Sequence, residues 1–335
     1  MQNKYRALWL AGLCFLVLAM ISVGGVTRLT RSGLSIVEWK PISGIIPPMN
    51  DEQWQNQFDL YKLSPEFAQV NSHFEISDYK NIFLWEFAHR LLGRVIFLFV
   101  VLPGFFLWRK KLVSGRLVLS LAGLIALQGL IGWLMVKTGL NARPHVSPYM
   151  LALHFFSALI VLLVAFYHLC KLRKPFAVGI STKPYSVLGI LLGLQLFFGC
   201  ITSGLKAGIG YNTYPLMNGQ FMPEDAFALR PTLLNFLENP GTVQWIHRWL
   251  GMAVLLALLG CLFSMKKSAS WGVLKGPMIH LAGVCAFQVL LGILNIVYIV
   301  PVPLAALHQL CAGFLVLSYF SIVFRMQNKV EPSSI

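Results

Sequence analysis

Four histidines stand inside stretches made otherwise of apolar residues: His89, His154, His247 and His308. An imidazole in hydrocarbon is costly, and where one occurs it usually serves a function. A single one has a bland explanation, an interhelical hydrogen bond. That explanation weakens when each half of the chain supplies two, at matching places. Two facing imidazoles inside a helical bundle suit axial ligation of a haem iron. A closed zinc site needs four ligands, and no cysteine or carboxylate set completes one. Copper stays open, although its usual thiolate or thioether partners are not placed in both halves. His73 and His145 fall in polar loops, and His168 and His280 have no counterpart in the other half. None of these four is assigned a ligand role.

One carboxylate accompanies the histidines. Glu86 precedes His89 by three residues, so the two share a helix face. The equivalent residue before His247 is Gln244. A carboxylate there can take a proton or stabilise developing positive charge, and glutamine does neither well. The competing reading is an i, i+4 ion pair with Arg90. The asymmetry points to a reaction site in the N-terminal half and an electron-transfer site in the C-terminal half. Arg28, Arg31, Arg90, Arg94, Lys206 and Arg248 lie where they would pair with haem propionates or snorkel at an interface.

These residues need a scaffold, and the composition says which. Of 335 residues, 57% are hydrophobic and 12% charged, about half the charged fraction of a soluble domain. Apolar runs at about 7–27, 82–108, 117–136, 149–170, 185–204, 241–264, 276–299 and 304–324 each approach the length that crosses hydrocarbon as a helix. Helix follows because the backbone of each run must pair within itself. The reading is an all-α integral membrane protein with eight transmembrane helices. The net charge of +15 does not point to nucleic acid. The basic residues collect in short loops, as the positive-inside rule expects. They include Lys4, Arg6, Arg109, Lys110, Lys111, Arg173, Lys174, Lys266, Lys267, Arg325 and Lys329. Both termini are then cytoplasmic, and with no cleavable signal or transit peptide the membrane is a bacterial inner one. The six cysteines sit in or beside apolar runs and read as buried small residues.

On the other side lies the long loop 28–81. Within it Asp51 to Leu63 spaces Trp54, Phe58 and Tyr61 on one face, which predicts a helix at the outer interface.

The chain repeats itself. Both His89 and His247 open the pattern His-Arg-x-x-Gly. Leu151-Ala152-Leu153-His154 answers Ala305-Ala306-Leu307-His308, and Gln128 to Gly132 answers Gln288 to Gly292. After the first and fifth spans, Thr27 aligns with Thr202, Gly33 with Gly208, Trp39 with Tyr214 and Pro48 with Pro223. Two pseudo-symmetric four-helix bundles follow, 1–175 and 176–335, as parallel repeats.

The run Tyr79-Lys80-Asn81-Ile82-Phe83-Leu84-Trp85-Glu86-Phe87-Ala88-His89-Arg90-Leu91-Leu92-Gly93-Arg94 resembles the haem A synthases with a long first loop. So do Leu127 to Val136, Val146 to Tyr149, Asn212 to Met217 and Leu307-His308-Gln309. The likeness runs from about Gly24 to Gln309. It implies an enzyme that oxidises the C8 methyl of haem O to a formyl group, by successive hydroxylation and loss of water, giving haem A for cytochrome oxidase. By the same resemblance, His89 and His154 are the substrate-haem ligands, His247 and His308 hold haem b, and Glu86 is the required acid. Some relatives carry cysteine pairs in the outer loops, and 28–81 and 205–240 hold none. The resemblance also implies membrane lipid as surroundings, a haem O synthase as partner and an electron donor it does not name. A homo-oligomer stays open. The competing class is a dihaem electron carrier without porphyrin chemistry. A transporter ranks below both, because the polar residues cluster toward one face rather than the midplane.

Overall fold

The computed structural model describes residues 2–142, 145–172, 183–268 and 270–327. Arg173, Lys174, Lys329 and the expected division at 175/176 lie outside them. Ten α-helices follow one another among the described residues: α1 (Gln2–Leu29), α2 (Asp51–Lys62), α3 (Ile76–Arg109), α4 (Gly115–Ala142), α5 (Pro148–Cys170), α6 (Lys183–Gly204), α7 (Asn235–Glu238), α8 (Pro240–Lys266), α9 (Trp271–Val297) and α10 (Val302–Gln327). All but α2 and α7 are long and apolar enough to cross a bilayer, eight in all. Their outward faces expose Phe15, Leu119, Ile190 and Leu256, which suits a lipid solvent.

Local chemistry fixes the ends that matter. The Asn50 side chain caps α2 by accepting from the Gln53 N–H at 2.9 Å. Glu75 and Asp78 form a capping box, which starts α3 at Ile76 rather than at the apolar run from 82. Asn239 caps α8, with Pro240 in its first turn. The helix over Asp51 to Leu63 is present, but its aromatic face meets protein. Phe58 and Tyr61 stack on Tyr79, with centroids 5.1 and 5.2 Å away. The early start of α3 supplies that partner, so Phe58 and Tyr61 of the stripe are buried against it while Trp54 stays half-buried.

Contacts divide the chain into two compact units, Met1–Leu162 and Leu163–Ile335. In the first, α1 packs on α3 and α3 on α4. In the second, α6 packs on α8, α8 on α9 and α9 on α10. The core of the second unit includes Leu188, Leu258, Leu274, Met278 and Leu281. The last turns of α5 belong to it: Tyr167 meets Phe324 at 5.7 Å between ring centroids.

Candidate functional site

In the first unit His89 projects from α3 and His154 from α5. Their ring centroids are 6.5 Å apart, with the planes inclined at 60°. Each ring is backed by a glycine on a neighbouring helix. A methyl group at Gly24 of α1 would lie 3.2 Å from His89 Nε2, and one at Gly132 of α4 would lie 3.5 Å from His154 Cε1. The second unit repeats this. A methyl at Gly199 of α6 would lie 3.0 Å from His247 Cε1, and one at Gly292 of α9 3.3 Å from His308 Cε1. His247 and His308 are electrostatic neighbours, and Gln288 Nε2 lies 3.3 Å from His308 Nε2. The sequence reading singled out the rings and not these glycines. The signal was there, because Gly132 and Gly292 close the aligned Gln128 to Gly132 and Gln288 to Gly292 runs.

Glu86 is buried and fully engaged. Its Oε2 accepts from Ser35 Oγ at 2.7 Å and from the Ile36 N–H at 2.6 Å, and its Oε1 pairs with Arg90. The ion pair weighed from sequence is therefore present, and the carboxylate also pins the outer loop. Arg90 donates to Ile36 O at 2.8 Å and Glu38 O at 2.9 Å. Arg248 donates to Tyr211 O and, at 2.7 Å, to Thr213 O. The alignment that pairs Trp39 with Tyr214 pairs Ile36 with Tyr211 and Glu38 with Thr213. The same clamp thus recurs at aligned positions. Arg31 and Lys206, also aligned, both take left-handed backbone with φ 55°. Arg94 donates to Pro41 O and Lys40 O at 2.9 and 2.8 Å. Arg90, Arg94 and Arg248 hold loop carbonyls, a use that neither propionate pairing nor snorkelling anticipated. Gln244 donates to Tyr211 O at 3.2 Å, where Glu86 instead accepts from the Ile36 N–H.

Outside the spans, hydrogen bonds from Lys40 and then Gln57 hold the Glu38 carboxyl below its ordinary value of 4.5. Burial raises the Tyr61 phenol, which donates to Glu66 and accepts from Asn71. His73 packs edge-on against Phe74, and His168 against Tyr167. Neither joins a histidine pair.

The second unit also keeps buried polar atoms without partners. Among them are Thr202 Oγ1, Gln244 Oε1, Trp245 Nε1, Arg248 Nε, Trp249 Nε1 and Gln288 Oε1, with the Nδ1 atoms of His247 and His308. A buried donor left unpaired is expensive, so such a set calls for a further group with acceptors. A hydroxyl, three N–H donors and two unpartnered imidazole nitrogens in one unit fit a porphyrin with carboxylate arms. Among the described residues no three His, Cys, Asp or Glu side chains converge as a metal-binding group.

Helical spans carrying paired, glycine-backed imidazoles define the class: a multi-pass membrane protein with histidine pairs set within helix bundles. Residues 7–320 match the family described as cytochrome oxidase assembly protein. The haem A synthase of Wolbachia pipientis wMel is 37% identical, over 98% of this chain and 95% of its own. Those of Sinorhizobium medicae and Nitrosospira multiformis are each 40% identical, over 94% of this chain and 87% and 91% of theirs. A haem A synthase–mitochondrial ferredoxin fusion protein of Schizosaccharomyces pombe is 40% identical, this chain matching 58% of it. The chain belongs to the haem A synthase family.

Proposed function

We propose that this chain oxidises the C8 methyl of haem O to a formyl group, with the first unit as reaction site and the second as an electron-transfer site built on haem b. The spacing of His89 and His154 carries the reading. Metal–imidazole bonds are about 2 Å. One iron clamped between two rings therefore sets their centres roughly 6 Å apart, and here they are 6.5 Å apart. His89 and His154 would hold the substrate haem, and His247 and His308 haem b. When bound, haem b supplies a one-electron relay between the reaction site and an external carrier. The fusion to ferredoxin in the Schizosaccharomyces pombe relative supports an iron–sulfur protein as that carrier's class.

The chain's own residues do the positioning and proton handling. Glu86 sits one turn from His89 on the same face. Two hydroxylations, each a two-electron oxidation that replaces a methyl C–H with C–OH, would draw their oxygen atom and oxidising equivalents from dioxygen, with the carrier's electrons reducing its second atom to water, and leave a geminal diol. Glu86 takes a proton from one diol oxygen and returns it to the departing hydroxyl, which leaves as water. Arg90 keeps the carboxylate oriented through that exchange, and Ser35 Oγ and the Ile36 N–H hold its second oxygen. The dense basic loops support cytoplasmic termini in a bacterial inner membrane. A haem O synthase would supply the substrate.

Haem extracted from cells with and without the protein tests the reaction. A formyl-bearing haem should appear only with it. Unchanged haem O in a dihaem-loaded protein would overturn the proposal and favour a membrane electron carrier.

A further inference from the structure

In the first unit, Val37, Trp39, Arg90, Trp133 and Lys137 border a cavity of about 110 Å³. The second unit differs at the aligned positions. There Asn212 ties the outer loop to α9 by donating to Ile296 O at 3.0 Å. The aligned residue in the first unit is Val37, which has no polar atom to make the tie. The α9 turn carries Ile293 and Val297, and the aligned α4 turn carries Trp133 and Lys137. A valine and a lysine thus stand in one unit where the other has an asparagine tie and a valine.

The two cations at this cavity are not alike. Arg90 is committed to Glu86 and to two loop carbonyls while its guanidinium lies 5.3 Å from the Trp39 ring centre. Among the described residues Lys137 has no hydrogen-bond or ion-pair partner, and it rests 4.9 Å from the Trp133 ring centre. Lys137 follows Gly132, the residue behind His154, by five positions, roughly 7.5 Å of helix rise. That is of the order of the reach of a porphyrin's carboxylate arm from its iron. Its side chain is exposed, as a snorkelling lysine's is, and it also borders the cavity together with Trp133 and Trp39.

We infer that this cavity binds a carboxylate arm of the porphyrin substrate, with Lys137 as the positioning residue that recognises the anion. The inference rests on the first unit being the substrate site. It adds what makes that site selective for a free acid.

The test titrates purified full-length protein with haem O and with its dimethyl ester, following the absorption spectrum. Lys137→Met should weaken haem O binding about tenfold, the loss expected for one charge-assisted hydrogen bond, and leave the ester unchanged. Lys137→Arg should restore discrimination. Val37→Asn, which installs the second unit's tie, should weaken acid and ester alike by closing the space. Equal affinities of wild type and Lys137→Met for haem O would overturn the inference while the proposed function stands. So would equal losses for acid and ester in Lys137→Met, the outcome if the lysine serves a lipid phosphate or the fold. Failure of the wild type to bind haem O, or binding unchanged by His89→Ala, would overturn the parent reading and this one with it.

Discussion

Each of the four intramembrane imidazoles has a glycine where a neighbouring helix would otherwise press a methyl group on it. The clearances rank them: 3.0 Å at Gly199, 3.2 Å at Gly24, 3.3 Å at Gly292 and 3.5 Å at Gly132. An alanine at the first would force the His247 ring aside, and at the last it would make an ordinary contact. Alanine in a helix interior is worth about 0.5–1 kcal/mol over glycine, so the fold should not suffer. We expect Gly199→Ala to shift or abolish the haem b absorption at unchanged thermal stability, and Gly132→Ala to leave the substrate site intact. Difference spectra beside a melting curve check this. If all four variants kept wild-type spectra, the rings would not be ligands held in place. Glu86 carries a sharper expectation, because it serves both chemistry and loop anchoring. Glu86→Gln keeps the shape and can still accept from the Ile36 N–H, but it loses the charge. Turnover should fall on the order of a hundredfold or more, the usual scale for a lost general base, with haem O binding retained. Turnover near wild type would leave Glu86 as an anchor only.

At the scale of elements, the outer loops are tied down by arginines gripping carbonyls, and this is where sequence legibility ends. The spans were readable because their apolar runs match the thickness of hydrocarbon. The helix α2 was readable from Trp54, Phe58 and Tyr61. The start of α3 at Ile76 was not, because Asp78, Lys80 and Asn81 interrupt the apolar pattern while the capping box sets the boundary. The Arg90 and Arg248 clamps were invisible because every residue has a carbonyl, so an acceptor leaves no mark in the sequence. Glu38 adds a pH-dependent tie, since it accepts from Gln57 of α2 at 3.2 Å as well as from Lys40. Its carboxyl is held below 4.5 in the folded state. The contribution is therefore present above that value and is lost as pH falls through the lowered one. Hydrogen exchange in α2 should quicken below about pH 4.5 in the wild type, with a smaller change in Glu38→Gln. Identical profiles would show that α2 is held by Phe58 and Tyr61 alone.

At the scale of the molecule, the two units share a plan and differ at a few aligned positions. In each, an imidazole pair rests on two glycines and an arginine holds the following loop. The second unit has Gln244 in place of a carboxylate, a closing tie at Asn212, and a set of buried donors awaiting acceptors. The first has its carboxylate compensated by Arg90, a cavity lined by Lys137, and buried donors of its own on Arg94 and Gln128. A site that must exchange substrate for product benefits from an opening. A resident cofactor benefits from closure and from polar partners that only it satisfies. The sequence carried the contrast only as Glu86 against Gln244, because cavities and unpaired donors arise from packing. If the division holds, the sites are separable by mutation. His247→Ala or His308→Ala should give protein purified without its resident haem b, still able to take up haem O but unable to turn it over. His89→Ala or His154→Ala should retain haem b with an undisturbed spectrum and lose haem O binding. Haem type and stoichiometry of the four purified variants decide the matter. Simultaneous loss of both haems from any single, well-folded variant would mean one shared site, and the assignment of a task to each unit would fail.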